Sequence, residues 1–89
     1  MRKLDLTHDA LGFLKTLPPR QFRQVVSQTF ELMVNPEPHD SQMLVGYEYR
    51  RADIGEYRIV YRFDRDFVYV ALIGKRNDSD IYKRLARKG

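Results

Sequence analysis

Arg50, Arg58, Arg76 and Tyr82 are the residues whose types and spacing could do chemistry on an anion. A guanidinium is a planar fork of N–H donors that fits a phosphate, and a tyrosine adds a hydroxyl and a ring on which a base can stack. In the stretch Glu56 to Phe63, strict alternation puts Glu56, Arg58, Val60 and Arg62 on one strand face and Tyr57, Ile59, Tyr61 and Phe63 on the other. A hairpin centred near Ile54 sets Arg50 opposite Arg58, and Glu48 opposite Val60. Like charges directly across a ladder are unfavourable by up to about 1 kcal/mol, so the pair calls for an anion or for a nearby acid such as Glu48 or Glu56. An anion site and a salt-bridged sheet face both satisfy this spacing. Leu72-Ile73-Gly74-Lys75-Arg76 brings two more bases to the end of the next strand, and Tyr82 can either turn back toward them or fill the core. Three arginines and a tyrosine are the kit for gripping a phosphate and stacking a base of single-stranded RNA.

The charge distribution agrees with an anionic partner. Residues 1–45 carry five bases and five acids, whereas residues 46–89 carry eleven bases, eight of them arginine, and seven acids, so the entire net charge of +4 lies in the second half. An ordinary solvated surface has the same composition, and position has to decide. The absence of cysteine excludes disulfides and Cys-ligated zinc, and His8 and His39 are too few and too far apart to suggest a metal centre. No apolar run approaches the roughly 18 residues of a membrane span, and the N-terminus lacks the apolar stretch of a secretory signal. The expectation is a soluble cytoplasmic protein that forms one domain over residues 1–89.

The elements that must position these residues follow from periodicity. Arg2 to Leu6 alternates as a short strand, and Thr7 can cap a helix over His8 to Lys15. Leu17-Pro18-Pro19 stops that helix and starts another. The second helix runs to about Val34, with Phe22, Val25, Val26, Thr29 and Met33 as its buried stripe and Phe30 and Leu32 widening it. Asn35-Pro36-Glu37-Pro38 ends it. The period then changes to two, with strands over Met43 to Arg51, Glu56 to Phe63 and Phe67 to Ile73, a connection over Ala52 to Gly55, and a turn at Asp64-Arg65-Asp66. A last helix spans Asp78 to Lys88 with Asp78 or Ser79 as cap. The predicted class is α+β, in the order β-α-α-β-β-β-α: a small antiparallel sheet with an N-terminal helical hairpin and a C-terminal helix, the helices on one face.

The succession Leu32...Asn35-Pro36, Leu44...Gly46-Tyr47, Gly55-Glu56-Tyr57-Arg58-Ile59-Val60-Tyr61, Ile73-Gly74-Lys75-Arg76 and Tyr82-Lys83-Arg84-Leu85 resembles the RelE branch of the RelE/ParE toxin superfamily over nearly the whole chain. The resemblance implies a toxin of a toxin–antitoxin pair that cuts mRNA in the ribosomal A site by attack of a ribose 2′-hydroxyl on the adjacent phosphate, without metal or cofactor. It implies a cognate antitoxin, a toxin–antitoxin hetero-oligomer, and the ribosome and mRNA as partners, with no membrane. Arg58 matches the arginine that binds the scissile phosphate, Arg76 the one that assists the leaving oxygen, and Tyr82 the tyrosine that stacks on the mRNA base. Arg50 falls where the family often has a basic residue near the attacking hydroxyl. Glu48 stands where the best-known pattern has a lysine, and it either acts as general base or pairs with Arg50. Arg51, Lys75, Lys83 and Arg84 are the expected flanking contacts to RNA or the ribosome. Two alternatives share the fold or the charge: a ParE-like toxin acting on DNA gyrase, and a basic RNA-binding module that does not cut.

Overall fold

Alternation in the first residues produces strand β1 (Lys3–Leu6), after which the Thr7 hydroxyl accepts from the Ala10 N–H at 3.1 Å and opens helix α1 (His8–Leu14). Helix α2 starts at Pro19, where a missing N–H costs nothing, and runs to Val34. The computed structural model describes residues 1–77 and 80–88. Its second half comprises β2 (Gln42–Met43), β3 (Arg50–Ile54), β4 (Tyr57–Phe63), β5 (Phe67–Lys75) and α3 (Asp80–Lys88). The expected cap of the last helix, Asp78 or Ser79, lies outside the described residues. Among those described, no helix is long and apolar enough to cross a membrane.

The α+β class holds, with one strand more than expected. Met43 to Arg51 is not a single strand but a small hairpin: Gly46 takes φ +82°, the Leu44 N–H donates to the Tyr49 carbonyl at 2.9 Å, and β2 pairs antiparallel with β3. Ala52 to Ile54, expected as a connection, completes β3, and the reversal is confined to Gly55 and Glu56, with Gly55 at φ +58°. The five strands lie in the order β1-β5-β4-β3-β2. The helical hairpin carries the chain from one sheet edge to the other, and the antiparallel meander returns until β5 lies parallel to β1, so the sheet is mixed.

The helices divide between the two faces, which corrects the expectation that they share one. Under α1 and α2 lies a core of Ala10, Leu14, Val25, Leu32, Ile59, Tyr61 and Val68, together with Val70 and Ile73. The opposite face has a second cluster, in which Ile81 and Leu85 of α3 cover Val60, Ala71 and Leu72. The physical reason is visible in β5, whose run Val70-Ala71-Leu72-Ile73 is apolar on successive residues and therefore has to be buried on both sides. A register shift between Val60 and Tyr61 accommodates Ala71 as an extra residue and keeps the two sets apart. Gly74 allows close approach of α3, since a Cβ there would stand 3.3 Å from Ile81 Cδ1. On α2 the buried stripe is Val25, Thr29 and Leu32, while Phe22 and Phe30 are 40% and 55% exposed.

Candidate active site

The two-residue turn sets the register that decides which arginines meet. With Ile54 paired to Tyr57, Asp53 lies opposite Arg58, Arg51 opposite Val60 and Arg50 opposite Tyr61. Since Tyr61 belongs to the helix-facing core, Arg50 is on the far side of the sheet from Arg58. The expected Arg50–Arg58 pair is therefore corrected: the cross-strand partner of Arg58 is an acid. A hairpin centred one and a half residues later, on Gly55-Glu56, would have found it from the sequence, because it exchanges a like-charge pair for an opposite-charge pair.

The second face carries a continuous chain of charged contacts. Arg58 donates from Nε to Asp53 Oδ1 at 2.7 Å and from Nη2 to Asp53 Oδ2 at 3.2 Å. Asp53 Oδ2 also accepts from Arg51 Nη1 at 2.8 Å, and Arg51 Nη2 donates to Gln42 Oε1 at 2.8 Å. The remaining Arg58 nitrogen, Nη1, donates to the Tyr82 hydroxyl, and the guanidinium carbon stands 5.9 Å from the Tyr82 ring centroid. Asp53 and Gln42 are the members that the sequence reading missed. The Arg58 side chain is only 12% exposed, which makes its pairing necessary as well as favourable.

These contacts set the ionisation of the pair. Burial alone raises the Asp53 carboxyl, but the Arg58 hydrogen bond and charge, with Arg51 behind them, more than offset it and hold Asp53 below the usual carboxylate range. The bond to Asp53 is the main reason that the Arg58 guanidinium is raised above its ordinary value; burial opposes the shift, and the Asp53 charge and Tyr82 add to it. Arg58 is thus a fixed positive charge and Asp53 a fixed negative one through the neutral range. A groove of about 350 Å³ opens beside Arg51 and Tyr82 and is walled by Tyr47, Leu44 and Val45. A larger concavity, about 610 Å³, lies elsewhere, between Arg20, Arg23 and Gln24 of α2 and the Gly55-Glu56 turn. We place the site beside the smaller groove because Gln42, Arg51 and Tyr82, the outer members of the chain of contacts that runs through Asp53 and Arg58, line it.

The other expected site residues divide. Arg76 is exposed at the same sheet end as Arg58: its N–H donates to the Glu56 carbonyl at 2.8 Å, two residues beyond the Arg58–Gly74 pair. Lys83 is exposed on α3 next to Tyr82, whereas exposed Lys75, paired with Tyr57 of the helix-side core, is on the other face of the sheet from Arg58. Arg84 is turned inward, paired with Asp9 of α1 and 3.3 Å from the Ile73 carbonyl, so it ties α3 to the rest of the molecule. Arg50 is held by the Ser41 hydroxyl at 3.0 Å and faces Glu37 at 3.8 Å, beside Tyr61, whose hydroxyl donates to the Pro36 carbonyl at 2.6 Å. Its surroundings fasten the 35–41 loop to the sheet. Exposed Glu48 shares a small cavity with Arg50, Glu37 and Arg62, and the structure does not bring it to Arg58.

Comparison with known proteins agrees with this architecture. Residues 4–79 match the family described as ParE toxin of type II toxin–antitoxin system, parDE. Among solved structures, a free-state mutant of the Escherichia coli toxin RelE superposes with a TM-score of 0.80 at 20% identity, covering 98% of this chain and 96% of that one. A chain of the RelBE2 toxin–antitoxin complex of Mycobacterium tuberculosis gives 0.74 at 28% identity, covering 84% and 98%. A chain of the archaeal RelE–RelB complex of Pyrococcus horikoshii gives 0.75 at 19%, covering 88% and 98%. No curated protein matches. With the family matched over residues 4–79 and the fold shared with the RelE structures, the chain belongs to the ParE toxin family, and hence to the RelE/ParE superfamily of type II toxin–antitoxin toxins.

Proposed function

We propose that the chain is a ribosome-dependent endoribonuclease that cuts mRNA in the A site and thereby stops translation. The observation that supports this reading most is the join between Arg58 and Tyr82, at the sheet end where Arg76 is exposed. A phosphate at Arg58 would meet a guanidinium already oriented by Asp53, so little reorganisation is needed as charge develops on the phosphoryl oxygens. Tyr82 supplies a ring for the adjacent base, and the groove beside it is walled by a second tyrosine, Tyr47. The 2′-oxygen forms a bond to phosphorus as the bond to the 5′-oxygen breaks, leaving a 2′,3′-cyclic phosphate and a 5′-hydroxyl. The proton lost at the 2′-oxygen is matched by one gained at the 5′-oxygen, where the cationic Arg76 stabilises the leaving group.

Arg51 takes the part expected of Arg50, since it is the arginine that shares the Asp53 carboxylate with Arg58. Asp53 orients both guanidiniums; its lowered pKa makes it a weak proton acceptor, so positioning and electrostatics carry the rate. The partner implied by a type II toxin is an antitoxin that covers the basic surface in a hetero-oligomer. The test is to add the protein to a translating extract, map mRNA ends by primer extension and determine their chemistry. Codon-phased cuts ending in 2′,3′-cyclic phosphate are expected. The family description itself favours one competing reading, action on DNA gyrase in the manner of ParE toxins. Inhibition of supercoiling without RNA cleavage would select it.

A further inference from the structure

The face that carries Arg58 has a second aromatic and basic cluster. One row of the sheet crosses β1, β5 and β4 as Asp5, Tyr69 and Arg62. The Arg62 guanidinium carbon lies 4.2 Å from the Tyr69 ring centroid, and Phe67 stacks against the same ring at 5.4 Å and 25°. The Tyr69 hydroxyl donates to Asp64 Oδ2 at 2.9 Å, which fixes the ring in its plane. The Tyr69 ring is thus contacted by both Phe67 and the Arg62 guanidinium, while Arg62 itself is exposed. Beside it is a cleft of about 170 Å³ whose lining includes Asp5, Tyr49, Arg62 and Tyr69.

Resting on the function proposed above, we infer that this cleft is a nucleobase subsite for a nucleotide of the same single-stranded RNA, flanking the one held at Arg58. Guanidinium planes and tyrosine rings are the surfaces on which unpaired bases stack, and the arginine adds charge for the backbone. Asp5 is a carboxylate acceptor in the cleft, suited to the exocyclic amino group of cytosine or adenine. Arg58 and Arg62 are four residues apart on one strand, roughly 13 Å. Ile81 and Leu85 of α3 occupy the sheet between the two rows, so the strand would pass along the β3 side, where Arg51 and Tyr49 stand two residues apart.

An NMR titration of the ¹⁵N-labelled protein with a pentaribonucleotide tests this without requiring cleavage. Saturable shifts are expected at the amides of Asp5, Arg62 and Tyr69, following the same isotherm as those at Arg58. Arg62→Ala and Tyr69→Ala should each raise the dissociation constant about tenfold, with amide dispersion showing that the fold survives. Arg62→Lys, which keeps the charge and loses the plane, should bind as weakly as Arg62→Ala. Shifts at Arg58 without the second cluster, no shifts at all, or undiminished binding by Arg62→Lys would each overturn the subsite. The extract assay on wild type reports separately on ribosome-dependent cutting: cuts with a silent second cluster remove only the subsite, and RNA-induced shifts without cuts remove only the nuclease reading.

Discussion

At the residue scale, the two neighbouring arginines Arg50 and Arg51 separate structure from function, because successive strand residues point to opposite faces. Arg51 touches Asp53 and Gln42 on the Arg58 side, whereas Arg50 holds Ser41 and the loop on the helix side. Arg51→Ala should lower cleavage by about tenfold or more, with stability little changed, as expected for loss of a preorganised positive group. Arg50→Ala should leave the cleavage chemistry intact and cost about 1–2 kcal/mol in urea unfolding through lost hydrogen bonding and packing. Asp53 adds a pH prediction. Its carboxyl is lower in the folded chain than the roughly 3.9 of an unfolded one, so its stabilisation is present above about pH 4 and is lost as pH falls through the folded value. Unfolding followed from pH 6 to 2.5 should show this acid decline in wild type, and Asp53→Asn should flatten it.

At the scale of elements, the hairpin turn governs the site. Gly55 has φ +58°, and a Cβ there would meet Gln24 Nε2 at 2.9 Å. Gly55→Ala should therefore destabilise by about 1–2 kcal/mol and weaken cleavage as well, since any slip of the turn moves Asp53 away from Arg58; thermal melts and end mapping check the two effects. The same turn explains which parts of the molecule were legible in the sequence. Helix α2 was readable to its ends because Pro19 and Asn35-Pro36 punctuate it, and the Thr7 cap because a hydroxyl before an apolar period has one local use. The register of β3 was not, because it depends on whether the reversal occupies two residues or four. A short segment does not determine that, while the pairing charges do. The division of β2 from β3 was hidden for a similar reason: Gly46 inside an otherwise strand-like run is as consistent with a weak strand as with a turn until Leu44 and Tyr49 are seen to pair.

At the scale of the whole molecule, a mixed sheet buried on both faces gives a small chain two cores, and the site lies where the smaller one ends. The larger core carries stability: Leu32 is fully buried beneath the sheet, and Leu32→Ala should cost about 2–5 kcal/mol in urea unfolding without altering where RNA is cut. The smaller core determines where Tyr82 can stand, since Ile81 and Leu85 seat α3 against Val60 and Leu72. Pattern and resemblance bring Arg58, Arg76 and Tyr82 together in the sequence as candidates, but helices on opposite faces could be deduced only from strands apolar on successive residues, a signal present in β5. Arg51, Arg58 and Arg62 share one sheet face, and in the proposed function Arg58 is the residue that holds the phosphate. The most direct measurement of that claim is primer extension on mRNA from a translating extract, with wild type and Arg58→Ala run side by side at matched concentration and matched thermal stability. Codon-phased cuts by wild type, reduced at least about a hundredfold in Arg58→Ala, are predicted; equal cutting by the two proteins, or none by wild type, would contradict the account.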